Sequence, residues 1–404
     1  MTPSLPLQGL RVIDLTTVVF GPYAAQWLGD LGAEVIKVEA PGGDSTRRTG
    51  PSTEPDMAAV YLGSNRNKQS VCIDLKSAQG REALAALVAT ADAFMHNMRP
   101  QKIKALGFDP QTLCARDPRL VYASFHGYGE GGPYSGRPAY DDVIQGQSGL
   151  ADLFHRRDGQ PAYAPTVMAD KTCGLVGALS MLAALVKRER TGLGSHVEIP
   201  MFETMTAFNL VEHLYGHHFE PPQGPPGYSR MMAAWRRPYP TADGFICMLP
   251  YTDAHWERFF TDAGRADLAA DPRFVGIAAR TDHIQALYAQ AAHIALTRST
   301  EAWLAYGLAH EIPMARVNTL SDLTEDPHLQ AVDFFAHLQD PAMGDLQWPG
   351  VPVKFDGQRP PVHMAPRLGQ HNSAVLQSAG YSAADVQRLT QQGVLFQRHS
   401  KATP

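Results

Sequence analysis

Asp170 stands immediately ahead of KTCGLVGALSMLAALVK, a run apolar on all sides and therefore expected as a buried helix from Lys171 to about Lys187. A carboxylate at that boundary has two chemical uses. It can cap the helix by accepting N–H groups of the first turn, which lowers its pKa and keeps it ionised. Left free of such bonds, it keeps a lone pair for nucleophilic attack and a covalent intermediate. The local residues alone favour the cap. Arginines gather in two places, Arg47 and Arg48 in DSTRRTG, and Arg230, Arg236 and Arg237 in SRMMAAWRRPYPT. Their planar forks suit carboxylates, and Met231, Met232 and Trp235 add apolar surface beside the second set. The loop TTVVFGP holds one glycine instead of G-x-G-x-x-G, so a nicotinamide site is a weak reading, although Glu39 sits where a ribose ligand would. Glu39 reads instead as a solvated strand end.

The elements that must position these groups begin with strand-like LRVIDLT (10–16), helix-like PYAAQWLGDLG (22–32) with Pro22 near its start, and strand-like AEVIKVE (33–39). SVCIDL, helix-like GREALAALVATA, DAFMHN, RLVYASF and HVEIP extend the alternation, which predicts an α/β fold with a Rossmann-like, doubly wound parallel sheet. The helix PMFETMTAFNLVEHLYGHH ends near residue 220, and the proline-rich EPPQGPPGY reads as a domain boundary. A large domain over 1–220, a smaller α+β domain over 228–330 and a C-terminal segment over 331–404 are expected. SAADVQRLTQQGVL has the Ser-capped look of a last surface helix.

With 404 residues, 44% apolar and 19% charged, the chain can bury a large core. A net charge of −5 gives no broad basic field for nucleic acid, so an anionic ligand must meet local clusters. Cys72, Cys114, Cys173 and Cys247 lack CxxC spacing, and no metal is expected. Cys72, Cys173 and Cys247 lie in apolar runs and read as buried thiols of a reducing compartment. No basic-then-apolar leader opens the sequence, and a cytoplasmic protein is expected.

LQGLRVIDLTTVVFGPYAAQWLGDLGAEVIKVEAPGGDSTR resembles the opening of the class III CoA-transferase family, which also includes α-methylacyl-CoA racemases and carnitine CoA-transferases. NRNKQSVCIDLK, ADAFMHNMRP, DPRLVYASFHGYGEGGPY, PAYDDVIQGQSGL, the stretch from Asp170 through KRERTGLGSHVEIPMFE, YPTADG and APRLGQH follow in the family's order, so the resemblance spans nearly the whole chain. It implies an interlocked homodimer, coenzyme A as substrate with no tightly bound cofactor, and Asp170 as the nucleophile that forms mixed anhydrides and an aspartyl-CoA thioester. It implies CoA contacts from Val19, Lys76, Asn97, Arg99, Lys104, His126 and Tyr128, with Lys102 beside them and His126 in the place of a family lysine.

Two departures bear on the branch. Tyr140 stands where the racemases carry a histidine, which removes one of the two bases that α-proton exchange uses. Val19 and SRMMAAWRRPYPT stand where formyl-CoA transferases carry a glutamine and a run of glycines. The expectation is transfer of CoA, with succinyl-CoA as donor and a dicarboxylate of about C4 to C6 as acceptor, bound through Tyr140, Arg47, Arg48, Arg236 and Arg237. An acyl-CoA racemase or isomerase is the alternative.

Overall fold

RVIDL, EVIKVE, KQSVC, AFMH, VYASFH and SHVEIP form the strands β1 (Arg11–Leu15), β2 (Glu34–Glu39), β3 (Lys68–Cys72), β4 (Ala93–His96), β5 (Val121–His126) and β6 (Ser195–Pro200) in the computed structural model, which describes residues 5–398. All pair in parallel in the order β3-β2-β1-β4-β5-β6. The order reverses between β1 and β4, and the crevice beyond the carboxyl ends at such a switch point is where open α/β sheets bind ligands.

Period-two alternation assigns each strand residue a face. Phe125 points to the layer of helices Phe20–Asp30 and Met168–Thr191, which pack closely together. Two glycines permit this closeness: a Cβ on Gly177 would stand 2.4 Å from the Phe125 ring, and one on Gly174 2.9 Å from the Phe20 carbonyl. On the opposite face Phe94 and Tyr122 join a core with Leu84, Leu87, Ile103 and Leu113, completed by Val375, Leu376, Val386 and Leu389 from the last two helices. The Ala383–Gln391 helix begins in a capping box, with Ser382 and Asp385 bonded reciprocally.

Contacts divide the chain into two units. The first comprises residues up to 148, 164–206 and those from 328 on; the second comprises 149–163 and 207–327. The proline-rich stretch thus lies inside the second unit, and the division falls within helix Met201–His213. The second unit has an antiparallel sheet of β7 (Tyr239–Pro240), β8 (Phe245–Met248) and β9 (Met314–Arg316). Its core is aromatic, built on Trp256, Phe259, Phe260, Tyr288 and Trp303.

Three expectations are corrected. Helix Met168–Thr191 starts before Asp170, and Leu175, Val176, Leu179 and Val186 on it are exposed, so it is not buried all round. Cys247 is exposed because β8 alternates buried and open positions. An antiparallel hairpin of Phe335–Asp340 and Gly344–Pro349 opens the returning C-terminal chain. Glu39 is not solvated: it is 3% exposed and takes both Nε and Nη2 of Arg47 at 2.7 Å.

That pair belongs to a charged network buried among β1, β2, the start of β3 and the loops that follow β1 and β2. Lys68 Nζ donates to Asp14 at 3.0 Å, and Lys37 Nζ donates to the Thr16 carbonyl at 2.8 Å and to Asp44 at 3.0 Å. Arg47 also reaches the Tyr61 hydroxyl and the Pro366 carbonyl, tying the returning C-terminal chain to the sheet. Arg47 is therefore unavailable to a substrate carboxylate, against expectation; its fork is consumed by Glu39. Arg47→Ala should leave Glu39 buried without its partner and destabilise the protein by about 3–5 kcal/mol, measured by urea unfolding. A loss under about 1 kcal/mol would mean that water reaches the pair.

Candidate active site

The loop after β1 is held in an unusual shape. Val18 has φ of 74°, a region β-branched residues avoid, and its N–H is donated to the Asp44 carboxylate at 3.2 and 3.3 Å. Asn97, just past β4, accepts the Thr17 N–H at 3.0 Å and donates to the Thr17 carbonyl at 2.8 Å. Asn97 thus positions this loop, and Val19 is the N-cap residue of the helix that follows.

Beyond β5, Gly127 lies so close to Ala139 that a Cβ would be 2.4 Å from that methyl. The approach brings the 136–140 loop over the strand end. Tyr128 is buried and donates its hydroxyl to Gln147 Oε1 at 2.7 Å. Thr17, Val18, Asn97, Arg99, His126, Tyr128, Arg137 and Tyr140 together line a cavity of 490 Å³ at the switch-point end of the sheet. Lys104 and His126 line a neighbouring cavity, also of 490 Å³. Five residues singled out from the sequence therefore meet around one cavity, namely Asn97, Arg99, His126, Tyr128 and Tyr140. Arg137 joins them without having been picked out, since a lone exposed arginine in a loop carries no pattern.

Lys76 is exposed past the end of β3 and lines neither cavity. Arg48 is exposed and faces Asp56 at 3.4 Å. Arg236 and Arg237 line a separate cavity of 470 Å³ in the second unit with Tyr239, Met248 and Met314. Arg236 and Arg230 both donate to the Tyr288 hydroxyl, at 3.0 and 2.8 Å.

Next to Tyr140, Asp141 decides the state of Asp170. Helix Met168–Thr191 has Val167 at its N-cap, so Asp170 is the third helical residue and is not the cap. Asp141 takes that role from another element: its Oδ1 accepts the Asp170 N–H at 2.8 Å, while its Oδ2 accepts Gln145 Nε2 at 2.5 Å. Gln145 Oε1 in turn accepts the Ala164 N–H at 2.9 Å. Among the described residues, no donor is bonded to the Asp170 carboxylate, which is 8% exposed. Burial first, and the Asp141 charge second, push Asp170 up to about 7. This reverses the lowered pKa that a cap would have. Cys173, one turn on, is pushed up to about 12 by burial and the two aspartates, so its thiol stays protonated and does not compete as a nucleophile. Sequence reasoning missed Asp141, which sits 29 residues from its partner.

The arrangement is a buried carboxyl with free lone pairs, poised near neutrality on a residue whose N–H is held by Asp141, whose neighbour Tyr140 lines a cavity carrying two guanidinium groups. The model of CoA-transferase family III matches residues 7–372. The chain belongs to CoA-transferase family III. It is 30% identical to formyl-CoA:oxalate CoA-transferases of Escherichia coli O157:H7 and Shigella dysenteriae serotype 1 over 416 residues, covering 96% of this chain and 99% of theirs. Among solved structures it is similar to an aspartate-to-alanine variant of Rv3272 from Mycobacterium tuberculosis, with TM-score 0.81 and 30% identity over 93% of this chain and 99% of that one. A CAIB/BAIF family protein from Brucella suis matches with TM-score 0.77 and 29% identity over 93% of this chain and 100% of that one. This family III CoA-transferase exchanges CoA thioesters, and coenzyme A is accordingly its substrate.

The raised pKa of Asp170 has a sign that stability can report. The folded state holds the Asp170 proton more tightly than the unfolded chain, so the stabilisation is complete below about pH 4 and is lost as pH rises through about 7. Asp170→Asn lacks this dependence. Between pH 4 and 8 its stability in urea unfolding should gain on the parent by up to about 4 kcal/mol. A constant difference across that range would place the Asp170 titration at an ordinary value.

Proposed function

We propose that Asp170 is the nucleophile through which this enzyme moves CoA from an acyl-CoA, with succinyl-CoA as donor, to a dicarboxylate of about C4 to C6. The observation that carries this reading is the buried Asp170 carboxylate with no bonded donor among the described residues, the Asp170 N–H being held by Asp141, whose neighbour Tyr140 lines a 490 Å³ cavity. Asp170 attacks the thioester carbon and expels the CoA thiolate, leaving a mixed anhydride. The thiolate attacks the aspartyl carbonyl and releases the donor acid, which gives the aspartyl-CoA thioester. The acceptor carboxylate attacks that thioester, freeing the thiolate again, and the thiolate takes the acceptor acyl group from the second anhydride. Asp170 returns as a carboxylate, and one thioester has replaced another without ATP.

Arg99, His126 and Tyr128 are proposed to contact CoA from the cavity wall, with Lys104 and Lys76 supplying charge to the phosphates and Asn97 and Val19 shaping the loop. With Arg47 consumed by Glu39, selection of a second carboxylate falls to Arg236 and Arg237, whose cavity is otherwise largely apolar, with Arg48 a further exposed fork. The relatives named for oxalate act on the smallest dicarboxylate. A longer acid is proposed here because Val19 and the loop from Ser229 replace the family's glutamine and glycines. Tyr140, where a racemase has histidine, disfavours α-proton exchange.

A homodimer is also proposed, covering the exposed Leu175, Val176, Leu179 and Val186 of the Asp170 helix. A mass of 44.0 kDa by light scattering would count against it.

The test of the chemistry is mass spectrometry of products formed in D₂O from succinyl-CoA or a methylacyl-CoA, with and without a panel of mono- and dicarboxylic acids. New acyl-CoA species should require an acceptor acid, vanish in Asp170→Ala, and lose their preference for dicarboxylates in the Arg236→Ala, Arg237→Ala double variant. Deuterium at the α-carbon without an acceptor would contradict the transferase reading.

A further inference from the structure

On β5 and β6, Ser124 is paired with Glu198 and His126 with Pro200, so alternation puts His126 and Glu198 on the same face of the sheet. The loop leaving β5 turns back over them. Glu130 donates its N–H to Glu198 Oε1 at 2.5 Å, and Gly129 donates to Glu203 Oε1 at 2.9 Å. This brings the Glu130 side chain to 3.7 Å from His126 Nδ1. One ligand atom each from His126, Glu130 and Glu198 then lie within 4.8 Å of one another.

Two features of this cluster are unresolved by the protein itself. His126 is 8% exposed, yet neither ring nitrogen makes a hydrogen bond, and the nearby Met98 N–H is donated to His96 Nδ1. A buried imidazole with both nitrogens unpartnered has lost its water without replacing it, so it needs an external partner. The two carboxylates stand close together, and among the described residues neither forms an ion pair with a lysine or arginine. His196, beside them on the sheet, is committed to Ser124 Oγ at 2.9 Å.

We infer that His126, Glu130 and Glu198 bind a transition-metal dication such as Zn²⁺ or Mn²⁺. The imidazole nitrogen favours these ions over Mg²⁺ and Ca²⁺, whose sites are built of oxygen. Three protein ligands leave a coordination position open, and two of the ligands, His126 and Glu130, line the cavity that Lys104 and Ser124 also line. Zinc at ordinary bond lengths holds its ligands about 3.3 Å apart, and the two carboxylates, both exposed, can close that gap. This metal site goes beyond the transfer chemistry and does not depend on it.

The experiment uses the full chain, treated with chelator, desalted, and titrated with ZnCl₂ or MnCl₂ alone. Calorimetry for zinc and the loss of the free-ion signal in electron paramagnetic resonance for manganese give the stoichiometry. One equivalent should bind, an equal concentration of MgCl₂ should not displace it, and Glu130→Gln or Glu198→Gln should each weaken it at least tenfold with circular dichroism unchanged. Glu203→Gln, which loosens the same loop without touching the three ligands, should retain the site. No saturable binding, binding unaffected by either Gln variant, or equal loss in Glu203→Gln would each overturn the proposal.

Discussion

Two carboxylates lie side by side at the start of one helix, and the chemistry depends on which of them takes the helix N–H. Asp141 accepts it, and the Gln145 amide besides. Asp170 receives neither bond and faces a like charge in a buried place. The same arrangement that denies Asp170 the stabilisation of a cap leaves its lone pairs free and sets its proton near neutrality. A carboxylate too stable as an anion is a poor nucleophile, and one fully protonated at working pH is none. Burial alone would raise Asp170; the Asp141 neighbour raises it further while fixing the backbone that carries it.

The frame that makes this possible is itself charged. Asp14, Lys37, Lys68, Asp44, Glu39 and Arg47 are buried together among the first three strands and their loops, and burial pushes Lys68 down to about 8 even beside Asp14. Such a network gives little net stability against an apolar substitute, but losing one member strands the others. What it provides is geometry. Asp44 accepts the Val18 N–H and holds that residue at a positive φ, which shapes one wall of the cavity. Asn97 fastens the adjoining Thr17 from the next strand. The loop in which a dinucleotide enzyme would place its glycines is thus held by side chains instead, and the guanidinium groups of Arg99 and Arg137 line the same cavity.

The sheet was legible because parallel strands buried on both faces must be continuous runs of apolar and β-branched residues, and RVIDL, EVIKVE and VYASFH are such runs. Asp170 and the cluster of Asn97, Arg99, His126 and Tyr128 were legible through the resemblance, since each lies in a motif with fixed order. What the sequence hid depends on contacts between distant positions. Arg47 reads like Arg48 next to it, and only the placement of Glu39, Tyr61 and Pro366 buries one while the other stays exposed. Asp141 reads like Asp142, yet one caps the Asp170 helix and the other is exposed. The exposed stripe of the Asp170 helix was missed because an apolar composition does not say whether its cover comes from the same chain.

The most direct test of the central claim is the pH dependence of kcat/KM for an acyl-CoA donor in the parent enzyme and in Asp141→Asn. Asn keeps an oxygen for the Asp170 N–H but removes the neighbouring charge. The account predicts an acid limb with an apparent pKa near 7 in the parent, shifted downwards in the variant but not to an ordinary aspartate value, because burial remains. An acid limb at the same pH in both enzymes would contradict it.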